Sequence, residues 1–303
     1  MADGDESEDA VCEQDRRRNN LVGAGLMILA VICFTGLDTI MKYLIVSYDF
    51  WILAWARNLV QVLILVAILP ALGARKVLTS KRPALQLLRG VCLAGATIAI
   101  LLSLKHMALT QTYVAMLTAP MVAAALSGLV LAERTTGMQW FWIIAGFIGV
   151  VVALNPTSPD IGWFLIYAVA MAAALGTYHV VTRLASRVEL PFTQLFYVGL
   201  IATIALTPTL LLSSGSLSVE AWGWVLLAGA FGTAAHFLLI LAISYAPPAI
   251  VSPMLYTQII FAAISGYLVF GEKPTVLMGV GAVIVALSGV GLIRSSNAGG
   301  GAK

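Results

Sequence analysis

From residue 21 to residue 294 one apolar run follows another, most of them about twenty residues long, with connections of a few residues between them. A bilayer core takes roughly 20 apolar residues as helix. The runs at about 21–45, 50–72, 86–107, 110–132, 137–154, 161–185, 191–212, 220–245, 249–270 and 275–294 therefore predict ten transmembrane helices. Composition points the same way: 60% of the 303 residues are hydrophobic and 10% charged, where soluble domains have roughly 45–50% and about 25%. The expected fold class is all-α integral membrane, with the lipid bilayer as solvent and short links making neighbouring spans antiparallel.

Charge is unevenly placed. Seven of the fourteen acids lie in the first fifteen residues and are followed by Arg16, Arg17 and Arg18, so residues 1–20 read as a disordered, solvated cytoplasmic tail. The acids precede the basic triplet and no small-residue cleavage site closes the first run, which is expected to stay as a span. With the N-terminus cytoplasmic, thirteen Lys and Arg fall at the inner face and three, Lys42, Lys105 and Lys273, near the outer one. That bias favours both termini inside. Trp51, Trp140, Trp142, Trp163, Trp222 and Trp224 fall near expected helix ends, where indole prefers the headgroups. The net charge of +3 follows from this topology, and no nucleic acid partner is expected. Cys12, Cys33 and Cys92 form neither a disulfide framework nor a metal cluster, and no cofactor is expected.

The sequence is also similar to itself. GLDTIMKYL (36–44) aligns with TYHVVTRLA (177–185) at an offset of 141, setting Asp38 opposite His179 and Lys42 opposite Arg183. LTAPMVAAALSGLVLAERT (117–135) aligns with YTQIIFAAISGYLVFGEKP (256–274) at an offset of 139, setting Glu133 opposite Glu272. Five spans per half is an odd number, so the second copy would enter the membrane inverted. The expected organisation is two inverted five-helix repeats, residues 21–155 and 156–294, with a flexible C-terminal tail at 295–303. Inverted repeats give secondary transporters two interconvertible, oppositely facing states around a midplane site.

The segment LKHMALTQTYVAMLTAPMVAAALSGLVLAER (104–134) and its counterpart AISYAPPAIVSPMLYTQIIFAAISGYLVFGEK (242–273) resemble the paired EamA domains of the drug/metabolite transporter superfamily. The shared features are a small-residue start, a mid-helix proline (Pro120, Pro253), a closing glutamate (Glu133, Glu272), and glycines in the helices that follow (Gly146, Gly149; Gly281, Gly289). Lys42 closing the first span and Arg57 in the second fit the same pattern. The resemblance covers residues 20–294. It implies a ten-helix carrier, a monomer in the cell inner (plasma) membrane, with a central cavity walled by the first, third, fourth, sixth, eighth and ninth spans. Members move amino acids, other metabolites, nucleotide sugars or drugs, and the branch with aromatic-lined cavities implies export of amino acids, including aromatic ones. Pro120 and Pro253 do not align, so the two halves are not equivalent at the site.

Within the first hairpin Asp38 lies ten residues before the turn at Tyr48 and Arg57 nine after it. Both are thus roughly 13–15 Å deep at 1.5 Å per residue. An unpaired charge at mid-helix costs about 2.5–3.5 kcal/mol, so Asp38 and Arg57 are expected to meet. Lys42, four residues on from Asp38, shares its face. The three charges form either a structural bridge or a functional device, a substrate-carboxylate anchor or outer gate.

Thr97, Thr118, Tyr178, His179, Thr233, His236, Tyr256 and Gln258 fall near mid-span and are candidate substrate contacts. A threonine there serves equally as packing glue, whereas Tyr256 and Gln258 lie beside a carbonyl freed by Pro253. The histidines suit either a proton relay or helix packing. Asp38 is the acid placed inside the expected spans, which favours facilitated movement over proton antiport. Glu133 and Glu272, at opposite faces, are expected to accept backbone hydrogen bonds at the start of the next helix. No GxSxG, HExxH or paired-aspartate motif supports an enzyme, and no charged ladder supports a channel. The expected function is secondary transport of small amphiphilic metabolites, most of all amino acids, by an exporter or facilitator. The alternative is a proton-coupled exporter of drugs or other metabolites.

Overall fold

The computed structural model describes residues 3–130, 136–155, 157, 159, 161–185, 188–245 and 252–300. The elements in chain order are α1 (Asp3–Leu44), α2 (Phe50–Leu72), the single turn α3 (Ala74–Val77), α4 (Pro83–His106), α5 (Leu109–Met116), α6 (Ala119–Val130), α7 (Gly137–Ala153), α8 (Ile161–Ala185), α9 (Pro191–Leu206), α10 (Val219–Tyr245), α11 (Gln258–Phe270) and α12 (Val276–Gly300). Two 3₁₀ segments, Thr207–Leu212 and Ser252–Thr257, extend α9 and lead into α11. Among the described residues there is no strand.

Among the described residues six helical stretches are long and apolar enough to cross a bilayer: Arg18–Leu44, Phe50–Ala71, Pro83–His106, Gly162–Thr182, Pro191–Leu212 and Val219–Leu239. Gly137–Ala153, Met254–Phe270 and Val276–Leu292 are shorter apolar helices. Punctuation in the sequence sets the ends. Asp49 accepts the backbone N–H of Trp51 at 2.8 Å to open α2, and Pro83 and Pro191 stand in the first turns of α4 and α9, where a missing N–H costs nothing. Thr136 and Gln139 form a reciprocal capping box on α7.

The expected fourth span is two helices. α5 ends at Met116 and α6 begins at Ala119, and in the break the Thr118 hydroxyl donates to the Ala115 carbonyl at 2.6 Å. The same bond recurs 139 residues on, where Thr257 donates to the Met254 carbonyl at 2.6 Å immediately before α11. In both places a threonine hydroxyl bonds back to the carbonyl three residues earlier at the point where the helix is interrupted. Glu133, at the end of the expected fourth span, lies outside the described residues.

Both tails differ from expectation. α1 is continuous from Asp3 and α12 runs to Gly300, so neither residues 3–20 nor residues 295–300 are irregular. No proline interrupts residues 1–45, the acids cluster at the end of α1 where the helix dipole favours them, and Glu13 and Arg17 stand four apart.

The most extensive packing joins α1 to α10, α7 to α12, α4 to α8 and α9, α6 to α8, and α2 to α9 and α10. Each of these pairs takes one helix from before residue 155 and one from after residue 160. The two sequence halves therefore interleave.

Glycine permits the closest approach. A Cβ on Gly281 would stand 2.5 Å from the Ala153 amide nitrogen and the Gly149 carbonyl oxygen, so α7 and α12 touch backbone to backbone. Gly90, Gly176 and Gly229 are also tight contacts, whereas Gly95, Gly162 and Gly279 face open space or ordinary contact. Gly281→Ala is expected to force α7 and α12 apart. A loss of about 1–3 kcal/mol, the usual cost of overpacking, would register as a lower melting point of the purified protein; an unchanged melting point would mean that the interface has slack.

Candidate functional site

Asp38 and Arg57 meet. Asp38 is buried on α1, and Arg57 of α2 places Nη1 3.6 Å from Asp38 Oδ1, within ion-pair range and beyond hydrogen-bond length. The other carboxylate oxygen, Oδ2, accepts a 2.7 Å hydrogen bond from the Tyr113 hydroxyl on α5. Tyr113 is fully buried, with Thr35 and Gln258 beside it and the Phe34 carbonyl at 3.2 Å. Asp38 Oδ1, Arg57 Nη1 and Gln258 Nε2 are buried with no hydrogen-bond partner among the described residues. α5 and α11, which adjoin the two interruptions, thus bring Tyr113 to the charged pair and Gln258 to Tyr113.

Lys42 does not join that cluster. It leaves Asp38's neighbourhood to pair with Glu272, donates to the Met107 carbonyl at 2.6 Å, and sits 5.4 Å from the centre of the Phe270 ring. Glu272 also accepts the Leu109 backbone N–H at 2.8 Å, at the first residue of α5. The expected capping role of Glu272 is therefore real, but it serves a helix from the other half of the chain. The Gly-Glu pair explains the placement: Gly271 takes φ +67° and the Glu272 N–H returns to the Gly266 carbonyl at 3.0 Å, a turn that reverses the chain after α11. The ends of α1 and α11 and the start of α5 are thereby tied together. A cleft of about 450 Å³, lined by Lys42, Leu104, Met107, Phe270 and Glu272, opens beside this tie.

Arg89 is one of the thirteen cations that the sequence places at the inner face. The structure buries it on α4, where Nε donates to Thr182 Oγ1 at 2.9 Å, Nη1 to Gln86 Oε1 at 2.7 Å and to the Gln194 carbonyl at 3.3 Å, and Nη2 to the Tyr178 hydroxyl at 3.5 Å. Its place six residues into a helix that begins at Pro83 was the available signal: that is about 9 Å into the span, deeper than a headgroup cation.

The other expected contacts divide. Tyr178 caps Arg89, with its ring 5.4 Å from the guanidinium carbon; His179 beside it is exposed in mid-α8. His236 on α10 meets Phe34 edge-on at 4.9 Å and stands within electrostatic reach of Arg57, Arg89 and His179. These residues share one central region, together with Gln258. Thr97 is buried with its hydroxyl unpaired among the described residues. Thr118 and Tyr256 are engaged within the bundle. Thr118 spends its hydroxyl on its own helix break, and the Tyr256 hydroxyl packs into the notch left by Gly289 on α12, which has no side chain to fill it. Thr233 likewise bonds back to the Gly229 carbonyl at 2.8 Å. No group of three or more His, Cys, Asp or Glu side chains that could hold a metal ion occurs among the described residues.

Interrupted apolar helices packed around a buried pair of charges are the geometry of a membrane carrier. The model of the EamA-like transporter family matches the sequence twice, over residues 21–155 and 162–294. The chain belongs to that family. It is a multi-pass membrane transporter and not an enzyme. This EamA-like transporter is similar to the S-adenosylmethionine uptake transporter of Rickettsia conorii, with 25% identity over 273 residues, 89% of this chain and 92% of that one. It is similar also to the riboflavin transporters of Vibrio cholerae, 26% identical over 287 residues (90% and 93% of the two chains), and of Rhizobium johnstonii, 27% identical over 291 residues (91% and 92%). A solved crystal structure superposes with a TM-score of 0.64 at 15% identity, over 93% of this transporter and 99% of that chain, and shares its fold.

Proposed function

We infer that this protein is a secondary carrier of small amphiphilic metabolites that works by alternating access. Its ten spans are two inverted five-helix repeats, 21–155 and 156–294, with both termini on the cytoplasmic side of the inner membrane and the monomer as the working unit. The observation that carries this reading is the meeting of the two interrupted helices beside the charged pair, with Tyr113 from one bonded to Asp38 and Gln258 from the other against Tyr113. The matched hydroxyl-to-carbonyl bonds at Thr118 and Thr257 support the repeat. Its inversion is supported by Glu272, which lies at the same end of the bundle as Lys42 and Leu109, the outer end under the positive-inside rule.

Lys42 and Glu272 act as an outer latch. While they hold, the ends of α1 and α11 and the start of α5 close that side, and the central region around Asp38, Arg57 and His236 opens toward the other. Because the halves interleave, the moving bundles each contain helices from both.

The cargo class is small solutes that combine a flat apolar part with polar or charged groups. Amino acids, aromatic ones included, fit that description, and so do S-adenosylmethionine and riboflavin, which name the relatives. A gradient-driven carrier runs in either direction, so export or uptake follows the gradient rather than the architecture. Counterflow in proteoliposomes with labelled phenylalanine, S-adenosylmethionine and riboflavin, with and without a pH gradient, tests the reading. At least one tracer is expected to accumulate against unlabelled internal solute without a pH gradient. Flux with no counterflow stimulation would indicate a channel, and accumulation only under a pH gradient would indicate proton coupling.

A further inference from the structure

The spans bury three cations whose side chains are described, and two of them face carboxylates: Lys42 pairs with Glu272 and Arg57 with Asp38. Arg89 is 2% exposed and its partners are neutral: Gln86, Thr182, the Gln194 carbonyl and Tyr178. Among the described residues no carboxylate lies within ion-pair distance of it. Glu189, whose backbone carbonyl accepts from Gln194 Nε2 at 3.3 Å, commits its carboxylate elsewhere, accepting from Ser80 Oγ at 2.6 Å and from the Arg82 N–H at 2.7 Å. A guanidinium taken out of water without an anion is costly to keep, and the cost falls when an anion arrives.

A second donor waits at the same place. Gln86 is completely buried, its Oε1 is held by Arg89, and its Nε2 has no hydrogen-bond partner among the described residues. On the side of the central region Tyr178 covers the guanidinium with the longest bond of the set, 3.5 Å, and is itself only half-buried, next to exposed His179. The arrangement is two unsatisfied or weakly satisfied donors behind one displaceable hydroxyl.

We propose that Arg89 and Gln86 form the anion subsite of the cargo site and that the transported solute carries a carboxylate. The carboxylate displaces the Tyr178 hydroxyl, takes Arg89 Nη2 with one oxygen and Gln86 Nε2 with the other, and leaves the rest of the solute toward His179 and His236. Arg57, already neutralised by Asp38, is not the carboxylate anchor. This assignment rests on the carrier reading, and its test is read by binding so that a failure of transport alone leaves it standing.

The purified protein is melted in detergent with matched probes: phenylalanine against phenylalaninamide, and S-adenosylmethionine against decarboxylated S-adenosylmethionine. The acid of at least one pair is expected to stabilise the wild type, with its carboxylate-free partner about ten- to a hundredfold weaker, the range of a hydrogen bond to a charged group. Arg89→Gln is expected to abolish that discrimination while leaving the weak affinity for the carboxylate-free probe unchanged. Arg89→Lys keeps the charge and should retain part of the preference, and it decides the matter where Arg89→Gln does not fold. Tyr178→Phe removes the displaced hydroxyl and should bind the acid as tightly as the wild type or more so. Equal binding of acid and neutral probe by the wild type, binding of neither, or equal weakening of both by the Arg89 variants would overturn the subsite and leave Arg89 a tie between α4, α8 and α9.

Discussion

Arg57→Ala is expected to lose about 3–5 kcal/mol of stability, the cost of breaking a buried ion pair from one side. Asp38 would remain at 5% exposure with the Tyr113 hydroxyl as its hydrogen-bond donor and no cation to face. Asp38→Ala should cost a similar amount through Arg57. The double variant Asp38→Asn with Arg57→Gln removes both charges and keeps polar groups at both positions, so it should recover much of the loss. Melting of the three purified variants measures this directly. If the single variants melt with the wild type, water reaches the pair and the low-dielectric reading of the cluster is wrong. Counterflow on the double variant then separates roles: full stability with lost transport would make the charges part of the transport cycle, and full stability with normal transport would reduce the pair to a bridge between α1 and α2.

Glu272→Gln should open the outer side. The glutamine can still accept from the Leu109 N–H, but Lys42 loses its anion and keeps the Met107 carbonyl. A bond to a charged group is worth about 1.5–3 kcal/mol, so the ratio of outward-open to outward-closed molecules should rise about ten- to a hundredfold. Leu104, 2% exposed and lining the adjacent cleft, is the reporter. In a background with Cys12, Cys33 and Cys92 replaced by serine, Leu104→Cys should react with an impermeant maleimide from the side on which residue 272 lies, much faster with Glu272→Gln than without it. Lys42→Met should do the same. Labelling that stays equally slow in both variants would show that the tie does not hold the outer side shut.

The chain's class could be read from its sequence because lipid imposes a local rule: a run of apolar residues must satisfy its own backbone, and it does so as helix wherever its partners lie. The Asp38–Arg57 pair was legible for the same reason, since both depths are counted along one hairpin from one turn. The likeness of residues 117–135 to 256–274 showed itself in spacing, and Thr118 and Thr257 make the same bond to the carbonyl three residues back. Continuous helix through residues 3–20 was missed, because a polar composition was read as irregular backbone although no residue there breaks a helix.

Three-dimensional packing decided the rest. Lys42 has Asp38 one turn away on its own helix, yet it pairs with Glu272, 230 positions along the chain, because the Gly271 turn aims that carboxylate at the end of α1 and no helical spacing records where another helix ends. Tyr256 turned to Gly289 and Tyr113 to Asp38 for a like reason: which face of a uniformly apolar helix looks inward is set by its neighbours. Arg89 is the clearest case. Its sequence neighbours make it an inner-face cation, and only the convergence of α4, α8 and α9 takes it out of water and surrounds it with neutral partners. Periodicity and hydropathy thus fixed what each segment is, whereas the pairing of charges between segments, on which any site depends, arises from contacts between residues far apart in the chain and exists only in the folded molecule.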